Sequence, residues 1–160
     1  MPTVHYDIKA GAPSKVSLKD LSQCIGMVKA GDAVDPDSAA VETPRAQVLA
    51  IASAGNLIVG VGAIKRCRPK YSFEIAEKSG VPFDPNTSEL GYISIDAKHR
   101  GQRLSGRIVQ ELLSGHEGAL FATTSSERMK RTLAHAGFVQ KGSEWEGTKN
   151  QQLSLWIKEK

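Results

Sequence analysis

The chain has 160 residues, 40% of them hydrophobic and 24% charged, proportions ordinary for one globular domain with a core of its own. No apolar run approaches the ~18 residues that a membrane helix needs, and the start MPTVHYDIKAG lacks the basic-then-apolar pattern of a signal peptide, so a cytoplasmic location with no membrane partner is expected. The net charge of +4 is uneven: five Lys/Arg face six Asp/Glu in residues 1–60, and sixteen face eleven in residues 61–160, an excess that suits an anionic ligand.

No long basic run and no basic stretch interleaved with aromatics is present, which disfavours nucleic acid as the partner. The cysteines, Cys24 and Cys67, form no CxxC and read as reduced structural thiols. His5, His99, His116 and His135 have no metal-ligand spacing and no carboxylate cluster beside them, so no metal is expected.

In chain order, Val4, Tyr6 and Ile8 alternate, which predicts an edge strand or ordered arm over residues 1–12. Leu18, Leu21, Cys24 or Ile25, and Val28 have helical spacing, capped by Ser14 or Ser17 and stopped at Gly31. Residues 32–44 read as a loop holding one helical turn. The apolar runs QVLAIAS and NLIVGVGAIKR read as strands joined by a turn at Ala54-Gly55-Asn56. Gly60-Val61-Gly62 is not a dinucleotide fingerprint, because the third glycine would fall at Lys65 and no helix follows promptly, so these strands read as core. Residues 71–78 suit a short helix and residues 80–88 a loop.

Residues 93–113, with Tyr92 in front, carry the strongest pattern. Tyr92, Ser94 and Asp96 alternate with Ile93 and Ile95, the pattern of a strand. The basic turn Lys98-His99-Arg100-Gly101 follows. Leu104, Ile108, Val109, Leu112 and Leu113 then share one helical face. A helix starting there points free backbone N–H groups and its positive dipole end outward, a site for phosphate or pyrophosphate. Residues 118–123 read as a buried strand. Thr124 as N-cap with Glu127 forms a capping box for a helix carrying Met129, Leu133 and Ala136 and ending at Gly137. Residues 138–139 and 152–157 read as closing strands, with a hairpin over 141–151.

The run Ile95-Asp96-Ala97-Lys98-His99-Arg100-Gly101-Gln102 resembles the acyl-CoA binding turn of the GNAT superfamily of N-acyltransferases. There a strand ends in a Val-x-Pro-x-x-Arg-Gly-type run and passes into Arg/Gln-x-x-Gly-x-Gly/Ala at a helix start. Leu133-Ala134-His135-Ala136-Gly137-Phe138 resembles that family's second signature, a helix ending in Gly-Phe before a strand. The likeness covers residues 89–140, and residues 46–157 by element order. Four positions depart from the pattern. Arg103 stands at the motif's glycine and Ser105 at its last small residue. Leu133 replaces a tyrosine that often protonates the leaving thiolate, and Ser126 a common asparagine.

The resemblance implies an α/β (α+β) domain over residues 1–160, with a mixed, mostly antiparallel sheet of about six to seven strands flanked by helices. It implies acetyl-CoA as co-substrate and an amine acceptor. Backbone N–H groups from Gln102, Arg103, Leu104, Ser105 and Gly106 would hold the pyrophosphate, with Gly101 in the turn and Arg100, Arg103 and Arg107 adding charge. Ile93, Ser94 and Ile95 would bind the pantetheine arm through main-chain groups, and one of their N–H groups would polarise the thioester carbonyl. Glu89 is the first candidate for general base, ahead of Asp96 and His99, and Ser126 or Ser125 for the acid. The alternatives are a catalytically silent acyl-CoA-binding module, suggested by Arg103 and Leu133, and an acyltransferase directed to nucleic acid such as tRNA. Pairing into a homodimer is common in the family.

Overall fold

Seven strands and five α-helices follow one another in the computed structural model, which describes residues 4–30 and 36–160. The strands are β1 (Asp7–Gly11), β2 (Val48–Ala54), β3 (Leu57–Lys65), β4 (Ser88–Ile95), β5 (Leu120–Thr124), β6 (Val139–Glu146) and β7 (Gln152–Lys158). The helices are α1 (Leu18–Lys29), α2 (Pro36–Glu42), α3 (Pro69–Ser79), α4 (Leu104–Ser114) and α5 (Glu127–His135). Strand neighbours run β1-β2-β3-β4-β5-β7-β6. The pairs β1–β2, β2–β3, β5–β7 and β6–β7 are antiparallel, and β4–β5 is parallel. The α+β class and the mostly antiparallel sheet agree with the sequence reading.

The chain divides into two compact units, Met1–Lys65 with Tyr92–His116, and Arg66–Gly91 with Glu117–Lys160. In the first unit, α1 begins where the sequence places it: the Ser17 side chain accepts a hydrogen bond from Asp20 N at 3.1 Å and satisfies an otherwise free donor. The predicted stop at Gly31 lies outside the described residues. After them come α2 and a 3-10 turn at Thr43–Arg45, more helix than the predicted loop. The hairpin turn falls at Gly55, whose φ of 61° suits glycine.

The period of two sorts β3 and β4 onto opposite faces. Val61, Ala63 and Tyr92 join Cys24, Val28, Ala39, Ala46 and Leu49 in the core beneath α1 and α2, and Ser94 Oγ donates to Met27 O on α1 at 3.1 Å. The other face carries α4. A Cβ on Gly62 would lie 2.6 Å from Ile108 Cγ2 and 3.2 Å from Ile93 Cγ1, and one on Gly60 would lie 3.0 Å from Ile95 Cδ1 and 3.1 Å from Ile108 Cδ1. The two glycines are therefore the floor on which α4 rests.

In the second unit, Ile75, Phe121, Trp145, Leu155 and Ile157 form a core with Tyr71, Val81, Phe83 and Leu153. Phe83 and Phe121 pack with centroids 4.9 Å apart. The strand after α5 is longer than expected. β6 runs on to Glu146 through a bulge between Lys141 and Trp145, where Gly142 (φ 72°) passes against Ser79 and Val81 with no room for a side chain. The predicted hairpin over 141–151 shrinks accordingly to the few residues between β6 and β7.

The Gly-Phe ending of α5 is a Schellman motif. Phe138 N donates to Leu133 O at 3.0 Å and Gly137 N to Ala134 O at 3.1 Å, with Gly137 at φ 98°. Leu133 and Phe138 are both buried. The N-cap of α5 is Ser126, not Thr124. Ser126 Oγ accepts from Met129 N at 3.1 Å, while Thr124 Oγ1 accepts from Ser126 N at 3.0 Å one step earlier. Thr124 is the last residue of β5, so its backbone is committed to the ladder.

Two predictions follow from this packing. Gly62→Ala forces Ile108 to move, so it should cost about 1–3 kcal/mol and lower Tm by about 3–10 °C in calorimetry. Gly26→Ala, in α1 with nothing within 4 Å of the added carbon, should instead stabilise by ~0.5–1 kcal/mol. Burial, and next the Asp20 carboxylate, push the Cys24 thiol up to about 11. The nucleophilic thiolate is then scarce at pH 8. Titration of the native protein with an aromatic disulfide at that pH should modify half-buried Cys67 first, with Cys24 reacting only after denaturation.

Candidate functional site

The basic turn sits in the first unit and is built in a few steps. Asp96 follows β4, with its N–H on Val59 O at 2.8 Å. Its carboxylate then accepts from Lys98 N at 3.0 Å, and its carbonyl from His99 N at 2.8 Å, folding Ala97–His99 into a 3-10 turn. Asp96 is thus occupied in shaping the turn. Beyond it the chain reverses through Gly101 at φ 82° and Arg103 at φ 60°. Arg100, Gly101, Gln102 and Arg103 are all exposed.

Arg103 is the residue before α4 and makes no side-chain cap. The helix's first turn contains no acidic residue. The N–H groups of Leu104, Ser105 and Gly106 precede the first N–H that can bond within an α-helix starting at Arg103, and Arg107 N is the one that reaches back, to Arg103 O at 3.3 Å. A Cβ on Gly106 would meet nothing within 4 Å, so the space beside this turn is open. Uncapped donors, the positive dipole end and flanking arginines are features that suit an anion. Leu104 contributes only its backbone, since its side chain is buried in the core. Arg107 is turned away from the expected role: its Nη2 donates to Tyr6 O at 3.4 Å.

Arg103 answers to the motif's glycine in conformation as well as in position. The left-handed region costs an ordinary residue about 1–2 kcal/mol and glycine almost nothing. Arginine accepts that cost here, and its side chain is exposed.

Ile93, Ser94 and Ile95 occupy the end of β4 in the same unit. Their side chains are committed to packing, Ile93 and Ile95 toward β3 and α4, Ser94 toward α1. Only main-chain groups remain for a ligand. Directly before them Tyr92 has φ 58° in the middle of a strand, a real outlier for a bulky residue. Such strain is worth ~1–3 kcal/mol and persists only where neighbours impose it. Here the buried ring lies in the core, and Lys65 Nζ sits 4.2 Å above its centroid. No sequence signal marked this kink, because tyrosine carries no preference for positive φ.

Glu89 and Ser126 lie in the second unit. Glu89, paired in register with Phe121, is 6% exposed and forms an ion pair with Arg68 at 3.8 Å. The Arg68 guanidinium stacks 4.6 Å over Tyr71. The residue that the sequence reading nominates as base is thus a buried carboxylate. Ser126 Oγ accepts from Met129 N and keeps its own proton free to donate. Among the described residues no group of three or more His, Cys, Asp or Glu can hold a metal ion. No helix among them is long and apolar enough to cross a membrane.

No family model matches the sequence, and no curated protein matches it. Solved structures do match the fold. An acyl-CoA N-acyltransferase from Pseudomonas aeruginosa superposes with a TM-score of 0.69 at 8% identity, covering 96% of this chain and 99% of that one. An acetyltransferase of the GNAT family from Streptococcus agalactiae gives 0.70 at 12% identity over 99% of both chains. A candidate acetyltransferase of Salmonella typhimurium, solved with its cofactor acetyl-CoA, gives 0.63 at 13% identity over 97% and 94%. The chain has the GNAT fold.

Arg103→Gly tests the turn. It should leave Tm within about 3 °C, because relief of the left-handed conformation offsets the entropy of glycine. It should weaken CoA binding roughly tenfold in calorimetry, through loss of one charge-assisted contact. Tighter binding would show instead that the arginine crowds the ligand.

Proposed function

We propose that residues 1–160 act as one acyl-CoA-dependent N-acyltransferase, transferring an acetyl group from acetyl-CoA to a primary amine. The observation that carries this reading is the uncapped start of α4, framed by Gly101 and Arg103 in left-handed conformations and open to solvent at Gly106. In the GNAT fold this element order places a strand end directly before an anion-binding helix start. The resemblance of residues 95–102 and 133–138 to the family's two signatures adds to it.

The chemistry asks little of the protein beyond positioning and proton transfer. The pyrophosphate of the co-substrate rests on the N–H groups of residues 102–106, with Arg100 and Arg103 supplying charge. Main-chain groups of Ile93, Ser94 and Ile95 receive the pantetheine arm, and one N–H donates to the carbonyl oxygen as it becomes an oxyanion. The acceptor nitrogen attacks the thioester carbon, and the C–N bond forms as the C–S bond breaks. Glu89 takes the proton that the nitrogen loses, directly or through water. The departing thiolate takes a proton from the Ser126 hydroxyl, which stands in for the family's tyrosine at the position of Leu133. Ser126 recovers its proton from solvent. The products are an N-acetyl amine and free CoA.

The silent-module reading keeps acyl-CoA binding and drops transfer. It draws on Arg103, Leu133 and the helix-capping role of Ser126. A localisation in the cytoplasm and pairing into a homodimer are compatible with either reading.

CoA at a hundredfold excess over its Kd should stabilise the protein by ~2.7 kcal/mol and raise Tm by about 5–10 °C. No shift at millimolar CoA would remove both readings. In assays with a panel of amines, Glu89→Gln should lower acetyl transfer by about 10²–10⁴-fold while CoA binding stays within about twofold. Transfer undetectable in the native protein with CoA bound would favour the silent module.

A further inference from the structure

We infer that Tyr6 is a positioning residue for the anion turn, holding it in its ligand-ready shape from the residue that precedes β1. Three contacts converge on this side chain and its backbone. Tyr6 Oη and His99 Nδ1 share a hydrogen bond at 2.9 Å, in which either group can donate. The two rings meet edge to face, with centroids 5.7 Å apart and planes at 85°. Arg107 Nη2 donates to the Tyr6 carbonyl at 3.4 Å. His99 enters the turn and Arg107 leaves it, so a single residue is tied to both ends.

The surroundings explain why such a brace matters. Within the turn, His99 is held by Asp96 O through its N–H. Residues 100–103 beyond it are exposed, and two of them need left-handed backbone. A loop of that kind samples other shapes unless its ends are fixed, and each alternative shape lowers apparent ligand affinity. His99 is half-buried, whereas Lys98 and Arg100 beside it are exposed, so this is the residue through which the turn can be gripped. Tyr6 is 7% exposed and is itself anchored, because Asp7 next to it pairs with Ser53 in the β1–β2 ladder. β1 thereby holds the turn in place without touching the ligand.

The test compares Tyr6→Phe, which keeps the ring and removes the hydroxyl, with His99→Phe, which keeps a ring and removes Nδ1. With CoA as probe, on the acyl-CoA reading above, each variant should bind about fivefold more weakly, equivalent to about 1 kcal/mol. The double variant should bind no more weakly than either single one, because both remove the same bond. Amide hydrogen exchange without ligand gives a readout that a general loss of stability does not move: in Tyr6→Phe, exchange should accelerate severalfold over residues 100–107 and stay unchanged in β2 and β3. Unchanged CoA affinity in Tyr6→Phe, additive losses in the double variant, or uniform acceleration of exchange would each overturn the role. If the native protein binds no CoA, the acyl-CoA reading falls by itself. The brace is then decided by exchange alone, standing if acceleration is confined to residues 100–107 and falling if it is not.

Discussion

The close approach of α4 to the sheet is the constraint on which the candidate site depends. Gly60 and Gly62 face the helix from β3, and Ile108 occupies the space that their side chains would need. Packed interiors do not yield by an ångström without cost. The glycines therefore fix the height of α4 above β3, and with it the position of its first turn. The end of β4 is held in the same layer by Ile93 and Ile95, which pack onto the same glycines. Strand end and helix start are thus set by one cluster, and the turn that joins them has little freedom in where it must arrive. It gets there by reversing through two left-handed residues, Gly101 and Arg103.

Backbone strain is concentrated where the reading places the ligand. Arg103 is left-handed directly before α4, and Tyr92 is left-handed in the strand just before Ile93. Each is held by its surroundings: Tyr92 by core packing and the Lys65 ammonium, Arg103 by the turn on one side and the helix on the other. Strained residues cluster at functional sites because their geometry serves something other than stability. In this chain the two strained residues stand just before the end of β4 and just before the uncapped start of α4. The side chains of Ile93, Ser94 and Ile95 are engaged in packing and that of Asp96 in shaping the turn, which is consistent with a ligand held largely by backbone.

Elements with a simple period were legible in the sequence. The apolar spacing of α1 and α4, the apolar runs of β2 and β3, the alternation of β4 and the order of elements all follow from patterns that local sequence carries. The Gly-Phe ending of α5 was legible too, since a Schellman motif needs glycine at one place and an apolar residue after it. Other features depended on what lies far away in the chain. Gly60 and Gly62 read as core without a reason, and the reason is Ile108, almost fifty residues on. The bulge in β6 hid because Lys141 to Glu144 looks like polar hairpin, and only the close passage of Gly142 past Ser79 shows why it is strand. The predicted cap of α5 was off by two positions, because either Thr124 or Ser126 can cap in isolation and the β5–β7 ladder decides between them. The kink at Tyr92, the partner of Glu89 and the grip of Tyr6 on His99 left no local signal at all.

The central claim is that acyl-CoA lies on the backbone donors at the start of α4. Titration of isotope-labelled protein with CoA, followed by amide chemical shifts, tests it most directly. The account predicts that the largest shifts fall on Gln102 to Gly106, where N–H groups meet phosphate oxygens, with a second group at Ile93 to Ile95. Saturable shifts confined to other parts of the chain, with residues 102–106 unmoved, would contradict it.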